Sequence, residues 1–226
     1  MKICALSDLH GDLVEVKPCE LLLICGDNVP LNIQSNSKKT KKWYNTTFRT
    51  WASLQPCNKV LFIAGNHDVY LQGKRIVYES LFPYEDKITY LCNTGYTHIY
   101  EGKEYKIFGT PYCKKFGNWA FMYSDPDLEV IYKEIPKDLD ILITHDQPYE
   151  YGDILLQEDC LWADGKHIGN IPLLNSIKEK QPKYQFNGHL HSCEKSKIMI
   201  GNTKHYNVSI KDEKYNIVYG PLYLDI

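Results

Sequence analysis

Five times along this chain a short, mostly apolar run stops at a cluster of Gly, Asp, Asn or His. Ile3-Cys4-Ala5-Leu6 runs into Ser7-Asp8-Leu9-His10-Gly11, and Leu21-Leu22-Leu23-Ile24-Cys25 runs into Gly26-Asp27-Asn28. Val60-Leu61-Phe62-Ile63-Ala64 precedes Gly65-Asn66-His67-Asp68, Ile141-Leu142-Ile143-Thr144 precedes His145-Asp146, and Tyr184-Gln185-Phe186-Asn187 precedes Gly188-His189-Leu190-His191. Runs this short and continuous, without the alternation of a half-wet strand, are predicted to be strands buried on both faces. Open α/β sheets place ligands at the carboxyl ends of such strands. The pattern therefore predicts one sheet edge at which five polar clusters meet.

Helices are expected between the runs. Lys38 to Gln55 carries Trp43, Thr47, Trp51 and Leu54 at helical spacing and is stopped by Pro56. Its opening lysines, Lys38, Lys39, Lys41 and Lys42, read as a solvated face or as a positive patch near a phosphate site. Asp127 to Glu134 and Ile171 to Lys180 are two further helices, ended by Pro136 and Pro182. From Lys197 onward, 197–200, 205–210 and 215–218 read as antiparallel strands separated by turn residues. With 226 residues, 43% of them hydrophobic, the chain has enough apolar surface for one sizeable core, and the expectation is a single domain over 1–226 with two sheets.

Charge and cysteine usage narrow the setting. Lys and Arg number 26 against 28 Asp and Glu, a net charge of −2, so there is no excess positive field for coating DNA. The apolar run at the N-terminus is broken by Asp8, and no stretch approaches the roughly 18 apolar residues of a spanning helix. Neither a signal peptide nor a membrane segment is expected. The eight cysteines, at 4, 19, 25, 57, 92, 113, 160 and 193, form no Cys-x-x-Cys pair and read as reduced thiols of a cytoplasmic protein.

Chemistry emerges from the conjunction of the clusters. Asp8 and His10 lie two apart at a strand end and can face one cation, yet alone such a pair is commonplace. Asp8, His10, Asp27, Asn66, His145, His189 and His191 together offer imidazole nitrogen and carboxylate or amide oxygen without a thiolate. That set suits divalent manganese, iron, zinc or nickel better than calcium and does not choose among them. Seven ligands are too many for one tetrahedral zinc but suit two ions sharing a carboxylate. Two ions about 3.5–4 Å apart clamp a phosphoryl group and lower the pKa of a bridging water, which points to phosphoester hydrolysis.

The order of the blocks, Asp-x-His, Gly-Asp, Gly-Asn-His, a lone His and Gly-His-x-His, resembles the calcineurin-like metallophosphoesterase superfamily from Asp8 to His191. Phe108-Gly109-Thr110-Pro111, Asn118-Trp119-Ala120-Phe121 and Thr144-His145-Asp146-Gln147-Pro148 look most like its small single-domain phosphodiesterase branch. The resemblance implies a four-layer αββα sandwich of two mixed sheets flanked by helices. It implies Asp8, His10 and His191 on a first metal, Asn66, His145 and His189 on a second, and Asp27 between them. It also implies that a metal-bridging hydroxide is the nucleophile. His67 would contact the phosphate, stabilising charge or protonating the leaving oxygen, with Asp68 orienting its ring.

Departures from the pattern narrow the substrate. Protein phosphatases of the superfamily extend the second block to Gly-Asp-x-Val-Asp-Arg-Gly, whereas this chain reads Gly26-Asp27-Asn28-Val29-Pro30-Leu31, without the arginine. Only 35 residues follow His191, too few for a DNA-binding cap. The reading is a phosphodiesterase for a small nucleotide-like ester, cyclic nucleotides included, with large DNA and membranes excluded and oligomeric state left open. The alternative is a metal-binding scaffold or interaction module with little turnover. The loops 29–37 and 112–123 are the candidates for reading a base, Trp119 and Phe121 being either stacking or core residues. His98, His167 and His205 receive no role, and Cys193 is not expected to be a ligand.

Overall fold

Each apolar run becomes a strand whose odd and even residues part to opposite faces. The computed structural model describes residues 1–72, 86–154, 166–191, 195 and 197–226. In it β1 (Lys2–Leu6), β2 (Cys19–Cys25), β3 (Cys57–Ile63) and β4 (Ile88–Tyr90) run parallel in that order, and β13 (Leu222–Asp225) joins the free edge of β1 antiparallel. A second sheet has the order β11 (Ile198–Ile200), β12 (Thr203–Asn207), β10 (Tyr184–Asn187), β9 (Ile141–Thr144), β6 (Lys103–Thr110), β5 (Thr94–Tyr100). Its four inner strands are parallel and both edges antiparallel. A short pair, β7 (Cys113–Lys114) and β8 (Met122–Tyr123), holds the loop between them.

The two faces of the strands define four layers. Ile3, Ala5, Leu21, Leu23, Cys25, Leu61 and Ile63 pack against Ile107, Ile141, Ile143 and Phe186 of the second sheet. The alternate residues Cys4, Leu6, Leu22, Ile24, Val60 and Phe62 face Tyr44, Phe48 and Ala52 of a helical layer. On the outside of the second sheet, Phe108 and Leu142 meet Leu128 and Tyr132 of α3 (Asp125–Tyr132) and Leu173, Leu174 and Ile177 of α4 (Ile171–Lys180). This is the expected sandwich of helices on two mixed sheets.

The first helical layer is continuous from Ser37 to Leu54, as α1 (Ser37–Trp43), a π turn (Tyr44–Phe48) and α2 (Arg49–Leu54). Its buried stripe is Thr40, Tyr44, Phe48 and Ala52, one position from the expected stripe, and Leu54 is 76% exposed. A strict spacing of four overshoots each α-helical turn by about 40°. The wider π turn takes that excess back and keeps Tyr44 and Phe48 on the sheet. The four lysines of α1 are exposed, as a solvated face would be.

α4 has the expected bounds, and α3 starts two residues early, at Asp125. The tail differs more. Residues 203–207 pair antiparallel with β11 but parallel with β10, 215–218 contribute only the Lys211–Ile217 bridge, and Leu222–Asp225 forms a strand. Among the described residues no helix is long and apolar enough to cross a membrane. Cys160 and Cys193 lie outside the described residues.

Candidate metal centre and its cavity

Because β1, β2 and β3 are parallel in one sheet and β9 and β10 in the other, all five clusters reach the same edge. There the backbones lock together: Asp8 N–H donates to Gly26 O (3.0 Å), His10 N–H to Asp27 O (2.9 Å) and Gly188 N–H to His145 O (3.1 Å). These bonds hold Asp8, His10, Asp27 and His189 at φ of 60°, 44°, 53° and 71°. The left-handed region costs a non-glycine residue about 1–3 kcal/mol and is retained where the surroundings impose it. Close approach requires glycine at Gly65 and Gly188 among others. A Cβ on Gly65 would lie 2.5 Å from Asp27 N and 2.6 Å from His145 Cε1, and one on Gly188 would strike Ser7 and the Asp8 carboxylate.

The side chains form two groups whose ligand atoms all lie within 4.8 Å of one another, Asp8 with His10 and His191, and Asp27 with His145 and His189. Asp27 Oδ2 also stands 3.3 Å from His145 Nε2, 3.7 Å from His10 Nε2 and 3.9 Å from His67 Nε2, so it faces both groups. His191 Nε2 lies 3.4 Å from Asp8 Oδ1 while its Nδ1 is bonded to Asp212 O at 2.9 Å. His145 Nδ1 reaches Cys25 O at 2.8 Å, across from one sheet to the other, and its Nε2 is 3.1 Å from Asn66 Oδ1. All seven expected ligands are therefore brought together.

Burial and charge act in opposite directions here. Burial pushes His10 and His189 down to about 4 each. Burial also pulls on His145, but the Asp27 carboxylate overrides it and lifts the imidazole to about 10. Burial raises Asp8, but His191 and His145 together outweigh it and hold the carboxyl below the usual range. His10 is singular, since it is buried and neither ring nitrogen has a hydrogen-bond partner. A divalent ion fits that observation: it would satisfy the bare imidazole, and four imidazoles with two carboxylates are a borderline donor set.

His67 packs edge-on to His10 with ring centroids 5.0 Å apart. The expectation for Asp68 is corrected. Its carboxylate accepts from Asn28 N, Val29 N (3.0 Å), Gly65 N (2.8 Å) and the Tyr44 hydroxyl (2.6 Å), and none of its hydrogen bonds goes to the His67 ring. Asp68 instead ties the loop after Asp27 to the turn that carries Asn66. The His67 ring is held by Gln34, whose Oε1 lies 2.6 Å from Nδ1. Gln34 lies in the 29–37 loop, and no motif spacing marks it.

A cavity of about 610 Å³ opens over Asp27, Asn66, His67 and His189. Trp119, 41% exposed, lines it with its ring 4.6 Å from His67, whereas Phe121 is buried in the core. The loop pair flagged in sequence thus divides into one wall residue and one core residue. Tyr215, which sequence reasoning missed, stands edge-on to His10 (4.8 Å) and His191 (5.3 Å). None of the α1 lysines lines the cavity.

Comparison with known proteins agrees with this geometry. Metallophosphoesterase domain-containing protein 1 of Homo sapiens is 27% identical over 248 residues, covering 100% of this chain and 71% of that protein. A probable rhamnogalacturonate lyase C of Emericella nidulans is 26% identical over 93% of this chain, which spans only 20% of that protein. The solved structure of the protein TT1561 of Thermus thermophilus has the same fold, with a TM-score of 0.57 at 17% identity over 91% of this chain and 88% of its own. Residues 1–193 match the profile described as calcineurin-like phosphoesterase, and the chain belongs to that family.

Proposed function

We propose that this chain is a dinuclear metal-dependent phosphodiesterase for a small nucleotide-like ester, a cyclic nucleotide among them. Family membership itself implies a metal-dependent phosphoester hydrolase that uses two divalent ions. The observation that carries the finer reading is the bare, buried His10 beside a carboxylate, Asp27, that faces two His/Asp groups beneath a cavity roomy enough for more than a phosphate. Asp8, His10 and His191 would hold one ion, Asn66, His145 and His189 the other, and Asp27 both. Bound there, manganese, iron, zinc or nickel would clamp phosphoryl oxygens and acidify a water.

The chain's own residues supply the rest. Gln34 Oε1 accepts from His67 Nδ1, which leaves Nε2 toward Asp27 to carry charge or a proton at the phosphate. Trp119 offers a ring face for a base, a contact worth about 1–3 kcal/mol. Asp68 is a positioning residue for the loops of Asp27 and Asn66. We read residues 1–226 as one domain and, from six free thiols among the described cysteines, place it in the cytoplasm.

The test is a screen of chelated and metal-reconstituted protein against cyclic and linear nucleotides, an aryl diester, a phosphomonoester and a phosphoserine peptide. Metal-dependent turnover of the diesters is expected. Phosphoserine-peptide hydrolysis with negligible diester turnover overturns the substrate class, and no turnover of any ester returns the chain to a scaffold role.

A further inference from the structure

His167 lines the same cavity as His67 and His189, outside every sequence block. Its Nδ1 lies 2.6 Å from Asp153 Oδ1, with the imidazole 35% exposed and the carboxylate 0% exposed. Asp153 is fixed from the other side, where its Oδ2 accepts from Gly169 N at 2.8 Å. Lys114 Nζ donates to Gly169 O at 3.2 Å and also lines the cavity. The His167 ring packs on Tyr149, with centroids 5.4 Å apart, and belongs to neither of the two His/Asp groups.

A wholly buried carboxylate is costly unless a charge or strong donors compensate it. Had the contact only to brace the backbone on either side, a neutral amide would serve at lower cost. A fixed carboxylate behind one ring nitrogen is instead the arrangement that orients an imidazole and stabilises its protonated form while the other nitrogen exchanges a proton. His67 Nε2 faces Asp27 at 3.9 Å, where the phosphoryl oxygens would lie, whereas His167 lines the cavity outside both His/Asp groups.

We propose that His167 acts as a catalytic acid on the leaving group, with Asp153 as its positioning residue. This rests on the phosphodiesterase reading. As a water oxygen bonds to phosphorus and releases its proton to solvent, the phosphorus–oxygen bond to the leaving group breaks. The leaving oxygen takes the proton of His167 Nε2 and departs as an alcohol, and the imidazole regains a proton from solvent. An alcohol of high pKa needs that proton, and a nitrophenolate does not.

The experiment compares thymidylyl-thymidine with thymidine 5′-(4-nitrophenyl) phosphate, which share a nucleoside and differ in leaving group. His167→Gln is expected to lower kcat on the dinucleotide by about 10²–10⁴-fold and to cost the nitrophenyl ester no more than about threefold, with metal content preserved. Asp153→Asn is expected to show the same selectivity with a smaller loss. Equal losses on both esters, or no loss on either, overturn the proposal and make the pair a brace. Absence of wild-type turnover on both esters overturns the phosphodiesterase reading, and the proposal with it.

Discussion

The two groups of the centre have the same composition, one aspartate and two histidines. Each holds one Asp–His ion pair, Asp27 with His145 and Asp8 with His191, but they part at the bonding of His145 and His10. In the group of Asp27, His145 has both ring nitrogens engaged, by Cys25 O and by Asn66 Oδ1, and the neighbouring carboxylate lifts it to about 10. In the group of Asp8, His10 has neither nitrogen bonded, and burial holds it near 4. His145 is closed by its ion pair with Asp27, which an incoming cation must exchange for a proton. His10 keeps an open nitrogen at a cost of about 1–3 kcal/mol for an unsatisfied buried group. A chain that retains such a group has given stability to binding.

That contrast breaks first at Asp27, which serves both sides. Asp27→Ala is expected to remove both ions and lower turnover by on the order of 10⁴-fold, given the several kcal/mol of charge stabilisation that ions supply; elemental analysis and rates on the same preparation check it. Wild-type metal content in that variant would show that neither group depends on the shared carboxylate.

The chelated protein sharpens the comparison by sign. His145→Leu strands the buried Asp27 charge and is expected to destabilise by about 3–5 kcal/mol. His10→Leu removes an unsatisfied group and is expected to stabilise by up to about 1–3 kcal/mol. Urea melts of both variants read this, and destabilisation by His10→Leu would mean that its imidazole is satisfied after all.

His205 serves as the control. It is as buried as His145, outside both His/Asp groups, and burial pushes it down to about 3, yet Gln147 and Gln185 partner both nitrogens. Below about pH 6.5 the unfolded chain takes up a proton that the native state refuses, so this group subtracts stability as pH falls toward 3. Relative to wild type, His205→Gln should therefore gain about 1.4 kcal/mol per pH unit over that window. Adding metal should leave the slope unchanged, and a parallel course of the two pH curves would contradict the assignment.

The parts of this molecule legible in the sequence were those whose signal is local. Strands β1, β2, β3, β9 and β10 are buried on both faces, so burial left its mark on every residue of the run, and their parallel sense put five clusters on one edge. The antiparallel pair β5 and β6 was not read, because β5 is an edge strand whose residues are mostly exposed and carry little pattern. Gln34 and Tyr215 reach the centre only through tertiary folding of loops, where spacing says nothing. Asp68 shows the limit most clearly. Adjacency to His67 suggested a bond to the ring, but the turn directs the carboxylate to Asn28, Val29, Gly65 and Tyr44.

The most direct test is a crystal structure of the manganese-reconstituted protein with anomalous scattering from the ions. Two peaks about 3.5–4 Å apart are expected, one on Asp8, His10 and His191, the other on Asn66, His145 and His189, with Asp27 touching both. A single peak, or a second ion that leaves His10 without a bond, would contradict the two-ion centre.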